Sequence, residues 1–259
     1  MSAKTARELL AWVVDLFMGL YDLVKAGKRD GQHLGEVLQW VKDHADFHAR
    51  LFPKKVDDDL PRFSVEDWMA LYLDAFRDHV AGLFGKSLSY AQLTEKLREE
   101  INGVKLPQRE GFDWLVIVLR GLTPEKVFAV FSRRCPAAKY RDLNTGQHDR
   151  NSDRTYAVSF RARVEADEEL KGKSADDLAA SNTPSITLLE RLLLEVMYAS
   201  KTAGRHLDLV HWTLCAGSRL PDGYVPRVIL CGDGDVYVRD WLPSTASDAL
   251  STREAVRFA

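Results

Sequence analysis

The sequence predicts an α+β fold, in which a helical N-terminal region precedes a smaller unit of antiparallel strands packed on a helix. Three observations lead there. Up to about residue 140, apolar side chains recur three and four positions apart, the spacing of one helix face. From Tyr156 onward the period falls to two, the spacing of a half-buried strand. Between them the stretch 141–153, RDLNTGQHDRNSD, is rich in turn formers and has no strong apolar pattern. The expected domains are therefore 1–143, helical, and 154–259, α+β, joined by a linker at about 144–153.

The first helix is expected from about Thr5 to Ala26, with Leu9, Trp12, Val13, Leu16, Phe17, Leu20 and Val24 on one face. Gly27 and the run Lys28-Arg29-Asp30-Gly31 stop it. The second runs from about Leu34 to Leu51 and ends before Pro53. Ser64, with Asp67 three residues on, is a capping signature, opening a helix that carries Trp68, Leu71, Tyr72, Phe76, Val80 and Leu83. Ser89 and Gln92 open another, with Leu93, Leu97 and Ile101 at four-residue spacing. Phe112–Leu119 is apolar on all sides, so periodicity does not separate helix from strand there. Its helical neighbours favour a buried helix. Thr123-Pro124-Glu125 places an N-cap before a proline at the first helical position, and that helix ends near Cys135-Pro136.

In the second half, Tyr156, Val158, Phe160, Ala162 and Val164 alternate with Ala157, Ser159, Arg161 and Arg163, which predicts a strand with an arginine-bearing outer face. A short helix is expected near Ser174–Ala180. Thr183-Pro184 is expected to start a helix with Leu188, Leu189, Leu192, Leu193 and Val196 on its apolar face and Gly204 as C-cap. Leu207–Cys215 is expected as a strand, followed by a turn at Pro221-Asp222-Gly223. Val228–Cys231 and Val236–Trp241 flank Gly232-Asp233-Gly234, a hairpin signal. A short tail helix and a last strand near Ala255–Phe258 complete the expectation.

The chain has 259 residues, with 36 basic and 38 acidic side chains and a net charge of -2. That balance argues against a protein whose main task is to coat nucleic acid, though a local basic patch is compatible with it. Asp15 and Asp22 interrupt the apolar run from Leu9 to Val24, which is too short and too charged to span a bilayer. The three cysteines, Cys135, Cys215 and Cys231, are too few for a disulfide scaffold, so a cytoplasmic location without membrane association is expected.

Several residues are candidates for chemistry. His44 and His48 lie four apart on one helix, a spacing that aims two imidazoles the same way and suits a metal. Asp43, Asp46 and His79 are the nearby ligand types. A core histidine beside a boundary one is the competing reading. His206, Asp208, His211 and Cys215 could serve a hydrolase or a zinc site, provided that they converge on a pocket. An extended strand would point His206 away from His211 and Cys215, and there is no Cys-x-x-Cys pair. Gly232-Asp233-Gly234-Asp235 lacks the lysine of a phosphate loop. Arg133, Arg134, Lys139, Arg161 and Arg163 could form one nucleic-acid-binding patch if the halves pack suitably. Ser89–Arg98 has the texture of the first helix of a helix-turn-helix, but the apolar segment after it cannot enter an anionic groove. No cofactor is expected.

Leu214-Cys215-Ala216-Gly217-Ser218-Arg219, Asp222-Gly223-Tyr224-Val225-Pro226 and Val236-Tyr237-Val238 follow one another after the leucine-rich helix. In these motifs residues 184–259 resemble the C-terminal segment of a set of uncharacterised bacterial proteins. The resemblance implies a bacterial or phage-like origin and a distinct C-terminal module, and no activity. Within it, Ser218, Arg219 and Asp222 either pin the loop or line a binding surface.

The functional expectation is a non-catalytic interaction or regulatory subunit of a larger bacterial or phage-related assembly, with another protein as partner. The alternatives are a nucleic-acid-binding accessory protein using the five basic residues, and a hydrolase or metal-dependent enzyme.

Overall fold

The chain divides into two compact units, Met1–Asp59 and Leu60–Ala259. A computed structural model describes residues 60–144, 146–231 and 235–258, with Lys25 besides. The two helices expected within 5–51, and His44 and His48 with them, lie outside the described residues. Everything below concerns the second unit, which is an α+β fold.

Six α-helices lie among the described residues: α1 (Val65–Ala75), α2 (Arg77–Phe84), α3 (Tyr90–Asn102), α4 (Pro124–Phe131), α5 (Ala175–Ala180) and α6 (Leu188–Lys201). The caps read from the sequence start α1, α3 and α4. Ser64 with Asp67 and Ser89 with Gln92 form reciprocal capping boxes, and Thr123 caps α4 ahead of Pro124. Ser174 with Asp177 does the same for α5.

The segment expected as a buried helix at Phe112–Leu119 is instead a strand, β1 (Trp114–Val118), antiparallel to β4 (Tyr156–Phe160). Five β-branched and bulky residues buried on both faces suit a central strand as well as a helix. Pairing with a second apolar run 40 residues away, which local periodicity does not report, decides the matter. The ribbon's outer edges are closed by other means. Trp68 Nε1 donates to the Leu115 carbonyl at 2.8 Å and the Tyr72 hydroxyl donates to that of Ile117. On the far side, Ser159 exchanges two backbone bonds with Val256. A two-stranded ribbon thus leaves no open edge here.

The second sheet has five strands in the order β2 (Ala137–Lys139), β8 (Val236–Trp241), β7 (Val225–Leu230), β5 (Trp212–Leu214) and β9 (Leu250–Ser251). The β7–β8 pair is the expected hairpin, with Leu230 opposite Val236 and Val225 opposite Trp241. A third pair joins β3 (Gln147–His148) to β6 (Ser218–Arg219).

Other boundaries differ from expectation. The strand of Tyr156 ends at Phe160 and is buried from Ala157 onward, so it has no arginine-bearing face; Arg161 and Arg163 follow it. The leucine-rich helix starts after Thr187, not at Thr183-Pro184, because Thr187 and Glu190 form its capping box while Ser185 bridges Glu254. Its C-cap is Thr202, with Gly204 two residues beyond in the left-handed region. The strand expected from Leu207 is confined to Trp212–Leu214, since Asp208 has φ 55° and the Glu165 carboxylate takes the N–H groups of Leu209, Val210 and His211. The tail makes β9 and two single bridges rather than a helix.

The expected linker at 144–153 does not divide the described core. It contributes β3 and the buried Arg150, and one hydrophobic core runs from Phe63 to Ala255 across it. At its centre lies α6, whose residues Leu188–Tyr198 are all buried, against α4, β1 and β7. A helix buried on every side carries its charged residues inside.

Candidate functional site

Those charges organise two networks. At the start of α6, the Glu190 carboxylate accepts two bonds from Arg150, at 2.6 and 2.8 Å, one from the Tyr156 hydroxyl and one from the Thr187 backbone. Burial by itself raises Glu190, but the Arg150 guanidinium outweighs it and holds the carboxyl below its usual range. From the very next position, Arg191 reaches Glu195 at 2.5 Å and Asp208 at 2.7 Å, and Arg253 reaches the other Asp208 oxygen at 2.7 Å. The Thr213 hydroxyl also donates to Asp208.

The residues expected for a hydrolase or zinc site are placed by this second network and do not share one site. Asp208 is committed to two arginines. His206 is bonded through Nδ1 to Glu195 at 2.9 Å. His211 stands 3.7 Å from Glu165 instead. Burial pushes the Cys215 thiol far up, which keeps it protonated. Among the described residues, no group of three or more His, Cys, Asp or Glu side chains could hold a metal ion.

The loop after β5 carries Ser218, Arg219 and Asp222. Leu188 N–H, at the start of α6, donates to Ser218 Oγ at 2.9 Å, and His148 Nδ1 lies 2.7 Å from the same oxygen. Burial lowers the His148 pKa, so at neutral pH the bond to Ser218 joins two uncharged groups. A hydroxyl on a neutral imidazole is the pairing of nucleophile and base. Here Ser218 is 1% exposed, which denies a substrate any approach. Gly217 allows the closeness, since a Cβ there would stand 2.5 Å from the Ser185 carbonyl. The pair is a joint between β3, β6 and α6. Ser218→Ala is expected to lower stability by about 1–3 kcal/mol, because it strands the buried Leu188 N–H. Urea denaturation monitored by circular dichroism measures it, and an unchanged midpoint contradicts the assignment. Arg219 folds back onto the carbonyls of Ala216 and Ser218, and Asp222 pairs with Arg141 at 2.6 Å.

Of the five basic residues expected to form a patch, four have carboxylate partners. Arg134 meets Asp74, Lys139 meets Glu125, Arg161 meets Asp167 and Glu254, and Arg163 meets Glu169. Arg133 donates to the Ala129 carbonyl and lines a groove of about 560 Å³ between α2 and α4. His79, whose Nε2 lies 3.0 Å from the Arg120 carbonyl, borders the same groove.

A different set of arginines lacks such partners. Alternation puts Val228, Val236 and Val238 on the core face of the five-stranded sheet and Arg227, Tyr237, Arg239 and Trp241 on the other. At one end of this outer face, Leu170, Ala175 and Leu178 cover Leu214, Val225 and Leu250. Beyond them, the Arg227 guanidinium stands 4.4 Å from the centroid of Trp212 and 4.2 Å from that of Trp241. Arg239 stands 4.8 Å from Tyr140 and 5.2 Å from Tyr237. Tyr140 is 62% exposed. Among the described residues, the buried Arg227 Nε and Nη1 and Arg239 Nε have no hydrogen-bond partner, while Arg239 Nη2 donates to the Tyr140 hydroxyl at 2.9 Å. The one signal in the sequence was Tyr237-x-Arg239-x-Trp241, aromatic and cationic side chains alternating opposite the valines. Trp212, Arg227 and Tyr140 join them only through strand register.

No protein-family model, curated protein or solved structure matches this chain. No helix among the described residues is long and apolar enough to cross a membrane.

Proposed function

We propose that this chain is a non-catalytic interaction subunit of a larger bacterial or phage-related assembly, and that the arginine–aromatic face of its five-stranded sheet receives an acidic segment of a partner protein. One observation carries this reading: two guanidinium groups held against aromatic rings, on the half-buried outer face of the sheet, without carboxylate partners among the described residues. Aromatic and arginine side chains are the types enriched at binding hot spots, and Tyr140 stands 62% exposed at the margin of this face. Ring stacking fixes the guanidinium planes in advance, so less freedom is lost on binding. Two cations suit a localised acidic group better than a nucleic-acid backbone, which needs a track of several. The expected basic patch supplies no such track, since carboxylates occupy most of it.

The test is affinity purification of the tagged full chain from its source cells at moderate salt, beside the double variant Arg227→Gln/Arg239→Gln. A stoichiometric protein that accompanies the wild type and is lost from the variant is the expected result. Equal recovery from both, or recovery of nucleic acid that high salt removes, overturns it. Thermal melting confirms that the variant is folded.

A further inference from the structure

Gly82 is the one glycine inside a helix among the described residues. Neither its backbone nor its packing calls for it. It is not in the left-handed region, and a Cβ built there would meet nothing within 4 Å. Glycine in a helix interior lowers stability relative to alanine. What the absent side chain leaves open is the groove of about 560 Å³ between α2 and α4. Ala129 lines it from α4 with a single methyl, and Phe76, Leu83 and Val130 give it an apolar lining. Its border is charged, and unevenly so: Lys86, Lys126 and Arg133 stand there against one carboxylate, Asp78. Among the described residues none of the three cations forms an ion pair. Lys126 donates to the Gly121 carbonyl at 2.7 Å and Arg133 to that of Ala129 at 3.1 Å, which leaves each its charge and further donors. Arg134, Lys139, Arg161 and Arg163, by contrast, all meet carboxylates. The wall also holds His79. Burial lowers its pKa, with Lys126 and Arg120 adding to the effect, so the ring is uncharged at neutral pH.

We infer that the groove between α2 and α4 is a binding site for a small amphipathic anion, an apolar body that ends in one acid group. Its volume lies within the range of small-molecule sites, roughly 300–1,000 Å³. Its walls are two helices of eight residues, each about 12 Å long, which matches an apolar body of medium length. Burial of that body against Phe76, Leu83 and Val130 supplies affinity in proportion to the apolar area removed from water. The acid group supplies the complement to a border with an excess of cations, and its bonds to them are charge-assisted. This site shares no residue with the arginine–aromatic face and does not depend on how that face is read.

Calorimetric titration of the full chain with octanoate and with octanol, two probes of one length that differ in charge, tests this. Octanoate, kept below the concentration at which it forms micelles, is expected to bind at least about tenfold more tightly than octanol, the factor that one charge-assisted bond supplies. Gly82→Phe places a ring in the open space and is expected to abolish octanoate binding in a chain that circular dichroism shows to be folded. Gly82→Leu repeats the blockade with a smaller side chain. Gly82→Ala is expected to keep the binding and to raise the thermal midpoint. The double variant Lys86→Gln/Arg133→Gln is expected to bring octanoate down to the affinity of octanol, whereas Arg227→Gln/Arg239→Gln leaves it unchanged. No binding of octanoate, equal affinity for the two probes, or undiminished binding in both Gly82→Phe and Gly82→Leu overturns the inference. So does a partner protein that is lost from Gly82→Phe while octanoate fails to bind the wild type, which makes the groove a seat for a protein segment.

Discussion

Asp208→Asn is expected to cost about 3–5 kcal/mol of folding stability, the range for removing one member of a buried ion pair. Asp208 is completely buried and faces two arginines that are equally buried. Asn fills the same volume, so the loss comes from charge. Arg191 keeps Glu195, while Arg253 keeps only the carbonyls of Arg163 and Val164. Urea denaturation near neutral pH measures the loss, and a change below 1 kcal/mol contradicts the network's role. The pH dependence follows from the same group. Burial raises the Asp208 carboxyl, but Arg253 and Arg191 outweigh this and hold it below its ordinary 3.8. Its contribution is therefore complete above that value and is lost as pH falls through the lower folded value. His148 and His79 act earlier. Burial lowers both from 6.5, so stability present above 6.5 declines as pH falls below it. A plot of urea midpoint against pH is expected to fall in two stages, with the lower one diminished in Asp208→Asn.

Glu190→Gln is expected to cost a similar amount, about 3–5 kcal/mol, by a different route. It leaves Arg150, whose side chain is 9% exposed, without its charge partner, and it weakens the capping box that starts α6. The amide can still accept bonds, but its nitrogen would then face the Arg150 donors or the Thr187 N–H. Chemical denaturation with a paired Arg150→Met variant separates the terms. The double variant Arg150→Met/Glu190→Gln is expected to recover part of the loss, since no buried cation is left alone. Additive losses would show that the two residues act independently.

The fold class and the helix starts were legible because they are local. A serine or threonine followed three residues later by an acidic or amide side chain marks a helix start without reference to anything distant. Ser64, Ser89 and Ser174 all do so, and Thr123 is marked instead by the proline that follows it. Where contacts between remote segments decide, the reading failed. Trp114–Val118 became a strand because Tyr156–Phe160 pairs with it, and Thr183-Pro184 does not start a helix because the chain there bridges to Glu254. The basic residues stood out as a cluster in the sequence, yet four of the five have carboxylate partners, some close along the chain, as Glu169 is to Arg163, and some remote, as Asp74 is to Arg134 and Glu254 to Arg161. Arg227 and Arg239 sit twelve positions apart in two strands, so only the hairpin register makes them a pair.

Arg253 has a consequence for the way the protein is made. A ribosome releases α6 and Asp208 before Arg253, and the segment through Val256 supplies the last edge of β4, the bridge to Ser185 and the second cation for Asp208. A nascent chain that has emerged only as far as Ala249 already holds α6 with α4, β1 and β7, but lacks the outer edge of β4 and one of the two cations of Asp208. Asp208 then has Arg191 alone as its cation, and the edge of β4 stays open until the segment to Val256 arrives. The second unit thus closes only once Arg253–Val256 has been made, and that stretch is its latch.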